Sequence, residues 1–212
     1  MFRDDVIAPL IESAEKGLIE LFFMDAAHFV WGAFPARVWS TVRRWVKTPS
    51  GRKRFNVLGA LNYVTKKIET VTNTTYITSA QVVEMLEMLA EKYQKPIAVI
   101  LDNASYQVCK LVRENAERLN INLIFLPTYS PNLNLIERVW KLVKSICLNG
   151  EYYEKFSEFT KVIDTCVSEI YVDHKSEMDT LITPDFQIIG EKKKKEKKKS
   201  KSYGLVKNLL QK

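Results

Sequence analysis

Glycine is scarce in this sequence, seven in all, and none stands in a GxGxxG or Walker arrangement. Loops that cradle nucleotide phosphates need glycines at fixed offsets, so nucleotide-binding folds are mostly excluded. Cysteine is scarcer. Cys109, Cys147 and Cys166 are odd in number, widely spaced and free of CxxC pairing. They read as reduced, buried thiols of a cytosolic protein, not as a disulfide frame or a zinc site. With only His28 and His174 there is no Cys/His cluster to suggest zinc either. Long apolar runs are missing: the longest, residues 96–101 and 121–127, are too short to cross a bilayer. No leader is expected, because Arg3, Asp4 and Asp5 interrupt the start and no apolar segment follows. What is present suits one globular core: 212 residues, 46% hydrophobic and 11% aromatic.

Charge is sorted along the chain. Residues 191–212 hold ten of the 32 basic and two of the 25 acidic residues, which leaves 22 basic against 23 acidic in 1–190. The net charge of +7 therefore belongs to the tail, and the body is close to neutral. The Lys-rich run at 192–201 buries nothing and is expected to be a disordered extension with non-specific affinity for nucleic acid; a localisation signal is the rival reading. Within the body, residues 26–68 contain no acidic residue. They contain Arg37, Arg43, Arg44, Lys47, Arg52, Lys53, Arg54, Lys66 and Lys67, interleaved with Trp31, Trp39, Trp45 and Phe55. Such a segment suits a polyanion, whose counterions are released as phosphates are neutralised. A solvated sheet face is the alternative.

Hydrophobic periodicity outlines the fold. Residues 1–20 have helical spacing and end near Gly17. Residues 21–30, 38–46 and 54–64 read as three strands with short connections, an antiparallel meander, and 67–77 as a weaker fourth. The period then changes. Residues 79–93 form an amphipathic helix with Ser79 as its expected N-cap. Residues 96–101 are continuously apolar, the mark of a central strand covered on both faces. A helix over 104–119, a buried strand over 121–126, a helix over 133–148 and a last helix over 154–170 complete the order. The reading is α/β: a mixed sheet, three antiparallel strands then two parallel ones, flanked by helices. Residues 1–190 form one domain and 191–212 a tail.

Two carboxylates sit where solvated charge does not belong. Asp25 lies inside an aromatic strand, and Asp102 ends the most apolar segment. Each needs a partner, a proton or a cation. A salt bridge is the ordinary alternative, and for Asp102 a cap on a helix beginning at Ala104. Ligands gather at the carboxyl ends of central strands, where Asp102 stands. A third carboxylate from an adjoining helix would complete an oxygen-only site for a hard divalent cation, Mg²⁺ or Mn²⁺. His28, taken to share a strand face with Asp25, is a candidate support for such a site, with a packed core histidine as the ordinary reading.

Three segments together resemble a known family. Phe23-Met24-Asp25-Ala26-Ala27-His28-Phe29, Ile100-Leu101-Asp102-Asn103-Ala104 and Tyr129-Ser130-Pro131-Asn132-Leu133-Asn134-Leu135-Ile136-Glu137-Arg138-Val139-Trp140 follow the order of a DDE transposase. The 34 residues between Asp102 and Glu137 resemble the spacing of the mariner superfamily and its bacterial insertion-sequence branch. The segment Ser50-Gly51-Arg52-Lys53-Arg54-Phe55-Asn56-Val57-Leu58-Gly59-Ala60 is similar to that branch, and the likeness covers roughly residues 20–190. Leu135 stands where relatives commonly have proline, and Gln107 where many have histidine.

The resemblance implies a ribonuclease H-like fold and a two-metal nuclease and strand transferase. Asp25, Asp102 and Glu137 would hold two Mg²⁺ (or Mn²⁺) ions and carry catalysis. DNA, as element ends and as target, is the implied substrate. Arg37, Arg43, Arg44, Lys47, Arg52, Lys53 and Arg54 would guide its backbone, and Arg138 would contact phosphate or be solvated. Asn103 would orient Asp102 or the phosphate, while Trp140 reads as core packing. A cytoplasmic, nucleoid-associated protein is implied, with no membrane partner. Relatives act as dimers or larger assemblies, which implies a homodimer. Their helix-turn-helix reader is expected to be missing here and to come from a separate polypeptide. The alternatives are a truncated, non-catalytic DNA-binding remnant and, more weakly, a stand-alone ribonuclease H-like nuclease.

Overall fold

A computed structural model describes residues 2–32, 53–128 and 130–186. The expected strand at 38–46, the basic residues Arg37, Arg43, Arg44, Lys47 and Arg52, and the tail lie outside the described residues. The chain opens with a π-helical turn, Arg3–Ile7, that runs into α1 (Ala8–Glu15). Gly17, at φ +70°, takes the left-handed turn that releases the chain into β1 (Glu20–Val30). β2 (Arg54–Asn62) and β3 (Ile68–Asn73) follow as an antiparallel meander, β1 against β2 and β2 against β3. The weaker candidate at 67–77 is thus the third strand of the described sheet.

α2 (Ser79–Lys92) is capped by Thr78, not Ser79: the Thr78 hydroxyl accepts from the Ala80 N–H, and Gln81 reaches back to the Thr78 N–H. This capping box satisfies donors that the first turn leaves open. β4 (Ile97–Leu101) pairs parallel with β1, and β5 (Ile121–Phe125), after α3 (Lys110–Arg118), pairs parallel with β4. A short 3₁₀ turn (Pro131–Leu133) leads into α4 (Ile136–Cys147), then α5 (Phe156–Asp173) and α6 (Lys175–Leu181). The sheet order is β3-β2-β1-β4-β5, so β1 is central.

The pleat divides the core in two. Phe23, Ala27 and Phe29 of β1, with Val57 and Ile100, pack under α1, α4 and α5; Phe22, Met24, Leu58 and Leu101 pack under α2 and α3. Several boundaries differ from the sequence reading, two of them beside the candidate acids. Residues 104–109 are turn rather than helix, because α3 starts only at Lys110. Residues 133–135 precede α4 instead of opening it. Cys147 is buried, while Cys109 and Cys166 are partly accessible. Packing of α4 on α5 puts Cys147 and Cys166 on the wall of one recess, a proximity invisible in their spacing. No helix among the described residues is long and apolar enough to cross a membrane.

Candidate active site

Register places the carboxylates. On β1, Asp25 alternates with Phe23 and Ala27, so its side chain leaves the sheet on the α4 side. Just past β4, Asp102 continues the alternation of Ala98 and Ile100 onto the same side. The parallel pairing sets Met24 beside Leu101, so the next residues, Asp25 and Asp102, leave adjacent strands at the same level. Glu137 stands in the first turn of α4, one turn before Trp140, and α4 covers this face. Three acids far apart in sequence therefore meet above the middle of the sheet.

Their electrostatics agree. Burial pushes Asp25 up to about 7; the Ala26 N–H opposes the rise, and Asp102 and Glu137 add to it. Burial also raises Asp102, against the hydrogen bond from Asn134. Glu137 is raised by burial and by Asp102, with Lys141 one turn on pulling it back. Tyr106, pushed up to about 12 by burial, also feels Asp25 and Asp102. Ion pairs among the described residues use other carboxylates. The alternatives of a salt bridge and a helix cap fall away: none of the three is paired there, and no helix starts at Ala104.

Among the described residues no group of three or more His, Cys, Asp or Glu side chains closes tightly enough to hold an ion. The donor set is nonetheless right for hard cations: oxygen ligands only, on one face, crowded enough to raise one another, with Lys141 partly offsetting this at Glu137. The acids are near enough to repel one another through space, not clasped into a cage. They fit a cation that draws them together, with remaining ligands from solvent or substrate.

Several neighbours were not legible as site residues. Asn134, 1% exposed, donates from Nδ2 to the Met24 carbonyl (3.1 Å) and to Asp102 Oδ1 (3.3 Å). It ties the loop before α4 to β1 and β4 at once, and its own Oδ1 has no partner. Gly59 lies directly opposite Asp25. A Cβ there would stand 2.7 Å from the Trp140 ring and 2.9 Å from Ile136 Cδ1, so only glycine admits α4 this close. Trp140, 4% exposed, packs edge-on to Phe29, and its buried N–H has no properly formed hydrogen bond. Asp25 is the acceptor that it faces. A glycine inside a strand pattern was the one available signal for this contact. Gln107 is fully buried with both amide atoms unpartnered, and Leu135 is buried at the N-cap of α4.

Other expectations move. His28 is three residues from Asp25, an odd step, so it faces the opposite side of the sheet. There its Nδ1 pairs with Asn56 Oδ1 at 2.7 Å, and the ring is exposed, not packed in the core. Asn103 donates to the Leu126 carbonyl at 2.6 Å, bridging the ends of β4 and β5 rather than gripping Asp102. Arg138 is neither solvated nor free: it donates to the carbonyls of Leu181 (2.8 Å), Thr183 (3.2 Å) and Asp185 (2.9 Å) and covers the Phe186 ring. Lys53 and Arg54 line a recess of about 620 Å³ with Thr74, Thr75, Tyr76 and Phe156. Arg54 pairs with Val30, five residues along β1 from Asp25, roughly 17 Å away.

The profile of the family described as DDE superfamily endonuclease matches residues 20–160, which contain all three acids. The chain belongs to the DDE endonuclease superfamily. Its fold is shared with solved transposase structures. The Mos1 mariner paired end complex with Mn superposes with a TM-score of 0.61 at 16% identity, over 85% of this chain and 59% of that one. The Mos1 strand transfer complex gives 0.60 at 16% identity, over 88% and 61%. The catalytic domain of Mos1 mariner transposase gives 0.51 at 15% identity, over 85% and 88%. This DDE chain thus spans less than two thirds of the Mos1 chains in those two complexes. The sheet and its helices are those of the ribonuclease H-like transposase fold. A search of curated proteins finds no match.

Proposed function

We propose that the chain is the catalytic domain of a transposase that cleaves DNA phosphodiesters and joins the resulting 3′ ends to target DNA, in the manner of insertion-sequence enzymes. The observation that carries this reading is the meeting of Asp25, Asp102 and Glu137 on one sheet face, mutually repelling and unpaired among the described residues. These three would hold two divalent cations, Mg²⁺ or Mn²⁺, which when bound supply charge stabilisation to the attacking and leaving oxygens of an in-line displacement. The Mn of the Mos1 paired end complex favours such a cofactor.

The chain's own residues supply the framework. β1 carries Asp25 and the end of β4 carries Asp102, and the parallel pairing of these two strands fixes the spacing of the aspartates. Asn134 orients Asp102 and anchors the loop that leads to Glu137. Burial lowers the local dielectric, so phosphate charge interacts strongly with whatever the acids hold. Lys53 and Arg54, with the basic residues at 37–52, would carry the DNA backbone along β1 towards the acids. A homodimer on paired element ends, and a helix-turn-helix reader on a separate polypeptide, complete the proposed assembly in the nucleoid.

Plasmid nicking in Mg²⁺ tests the reading. Asp102→Asn should abolish metal-dependent cleavage while DNA binding, measured by gel shift, persists. Nicking at the wild-type rate by that variant would refute the assignment. Cleavage of an RNA–DNA hybrid without DNA strand transfer would point instead to a stand-alone nuclease.

A further inference from the structure

Trp140 has a neighbourhood that core filling does not explain. A tryptophan this deeply buried ordinarily finds an acceptor for its N–H. Here the N–H is buried beside the Asp25 carboxyl without a properly formed bond. If the ring only filled space, phenylalanine would fill most of it and leave no buried donor. The opposite strand has also been opened to receive this particular ring. Gly59 sits across from Asp25, and any side chain there would strike the indole at 2.7 Å. The notch, the indole and the acid are consecutive neighbours, and Trp140 shares a helix face with Glu137 one turn earlier. Seating the indole in the notch therefore fixes how α4 delivers Glu137 to the same place.

We propose that Trp140 is a positioning residue for the metal-holding acids: seated by Gly59, its indole N–H is the donor that orients the Asp25 carboxylate once a cation draws that side chain into place. The inference rests on the function proposed above. The Trp140 N–H is buried without a partner, and a ligating carboxylate keeps one oxygen for a supporting donor.

Mn²⁺ binding to the protein alone is the test, read by the loss of the free-ion electron paramagnetic resonance signal. Trp140→Phe should weaken Mn²⁺ binding by about tenfold, the effect of losing a supporting donor behind a ligand. Gly59→Ala, which displaces the ring but keeps the N–H, should weaken it likewise. A second readout needs no folded variant at position 140. In ¹⁵N-tryptophan protein, with the other indole signals assigned by Trp31→Phe, Trp39→Phe and Trp45→Phe, the remaining indole resonance should move on adding Mg²⁺. Unchanged Mn²⁺ affinity in Trp140→Phe, or an indole resonance that stays still while Mg²⁺ binds, would reduce Trp140 to packing and overturn the inference. The parent reading fails differently. If wild type binds no Mn²⁺ and Asp102→Asn nicks normally, the metal site itself is wrong, and this inference falls with it.

Discussion

Replacing Asp25 with asparagine should make the cation-free protein more stable, and the gain should grow with pH. The folded protein holds Asp25 up to about 7 against an ordinary 3.8, chiefly because the carboxyl is buried. The unfolded chain returns it to the ordinary value. Between those two pH values the folded state keeps a proton that the unfolded state has released. Stability therefore falls as pH rises through that window, and the contribution is intact only below it. Each unit is worth about 1.4 kcal/mol, so the step from pH 5 to pH 8 removes about 3 kcal/mol from wild type. An amide has no such term. Urea unfolding of Asp25→Asn and wild type in chelator should show the gap between them widening by about 3 kcal/mol over that range. Mg²⁺ at pH 8 should narrow it, because a cation that binds only the folded, ionised site stabilises wild type alone. A gap that stays constant with pH would refute the reasoning, since it would mean that Asp25 titrates normally and that the acids do not crowd one another.

Gly59→Ala should destabilise by about 1–3 kcal/mol through overpacking against Trp140 and Ile136, a loss that thermal melting will register. Asn134→Ala removes the donor to the Met24 carbonyl and to Asp102. It should cost about 1–3 kcal/mol and raise the Asp102 titration further, visible in the carboxyl carbon shift. Arg138→Met unties three carbonyls at 181–185, at a cost of about 2 kcal/mol, and amide exchange in that segment should accelerate while β1 stays protected.

Strands announced themselves where both faces are buried. Residues 97–101 are apolar without interruption because α2 and α3 cover one face and the α4 layer the other. The three acids were legible for the opposite reason, being charges in apolar surroundings or in a specific signature string. Residues 104–109 misled because their composition is compatible with helix, while the chain there must leave β4 and turn before α3 can begin. His28 misled through parity: a step of three changes strand face. Asn134 and Gly59 carry no charge and follow no period, so their value appears only when the loop crosses β1 and when α4 descends on β2. The clasp of Arg138 was unreadable, because its acceptors are main-chain carbonyls more than forty residues away.

That clasp has a practical consequence. Everything appended after Phe186 sets out from a point riveted next to the residue that follows Glu137. A load placed on that end, whether an affinity tag, a surface tether or a fused domain, will tug first on the helix bearing the third acid. Attachment for pulling or immobilisation experiments is better made at the opposite terminus, whose opening helical turns are not tied to Arg138.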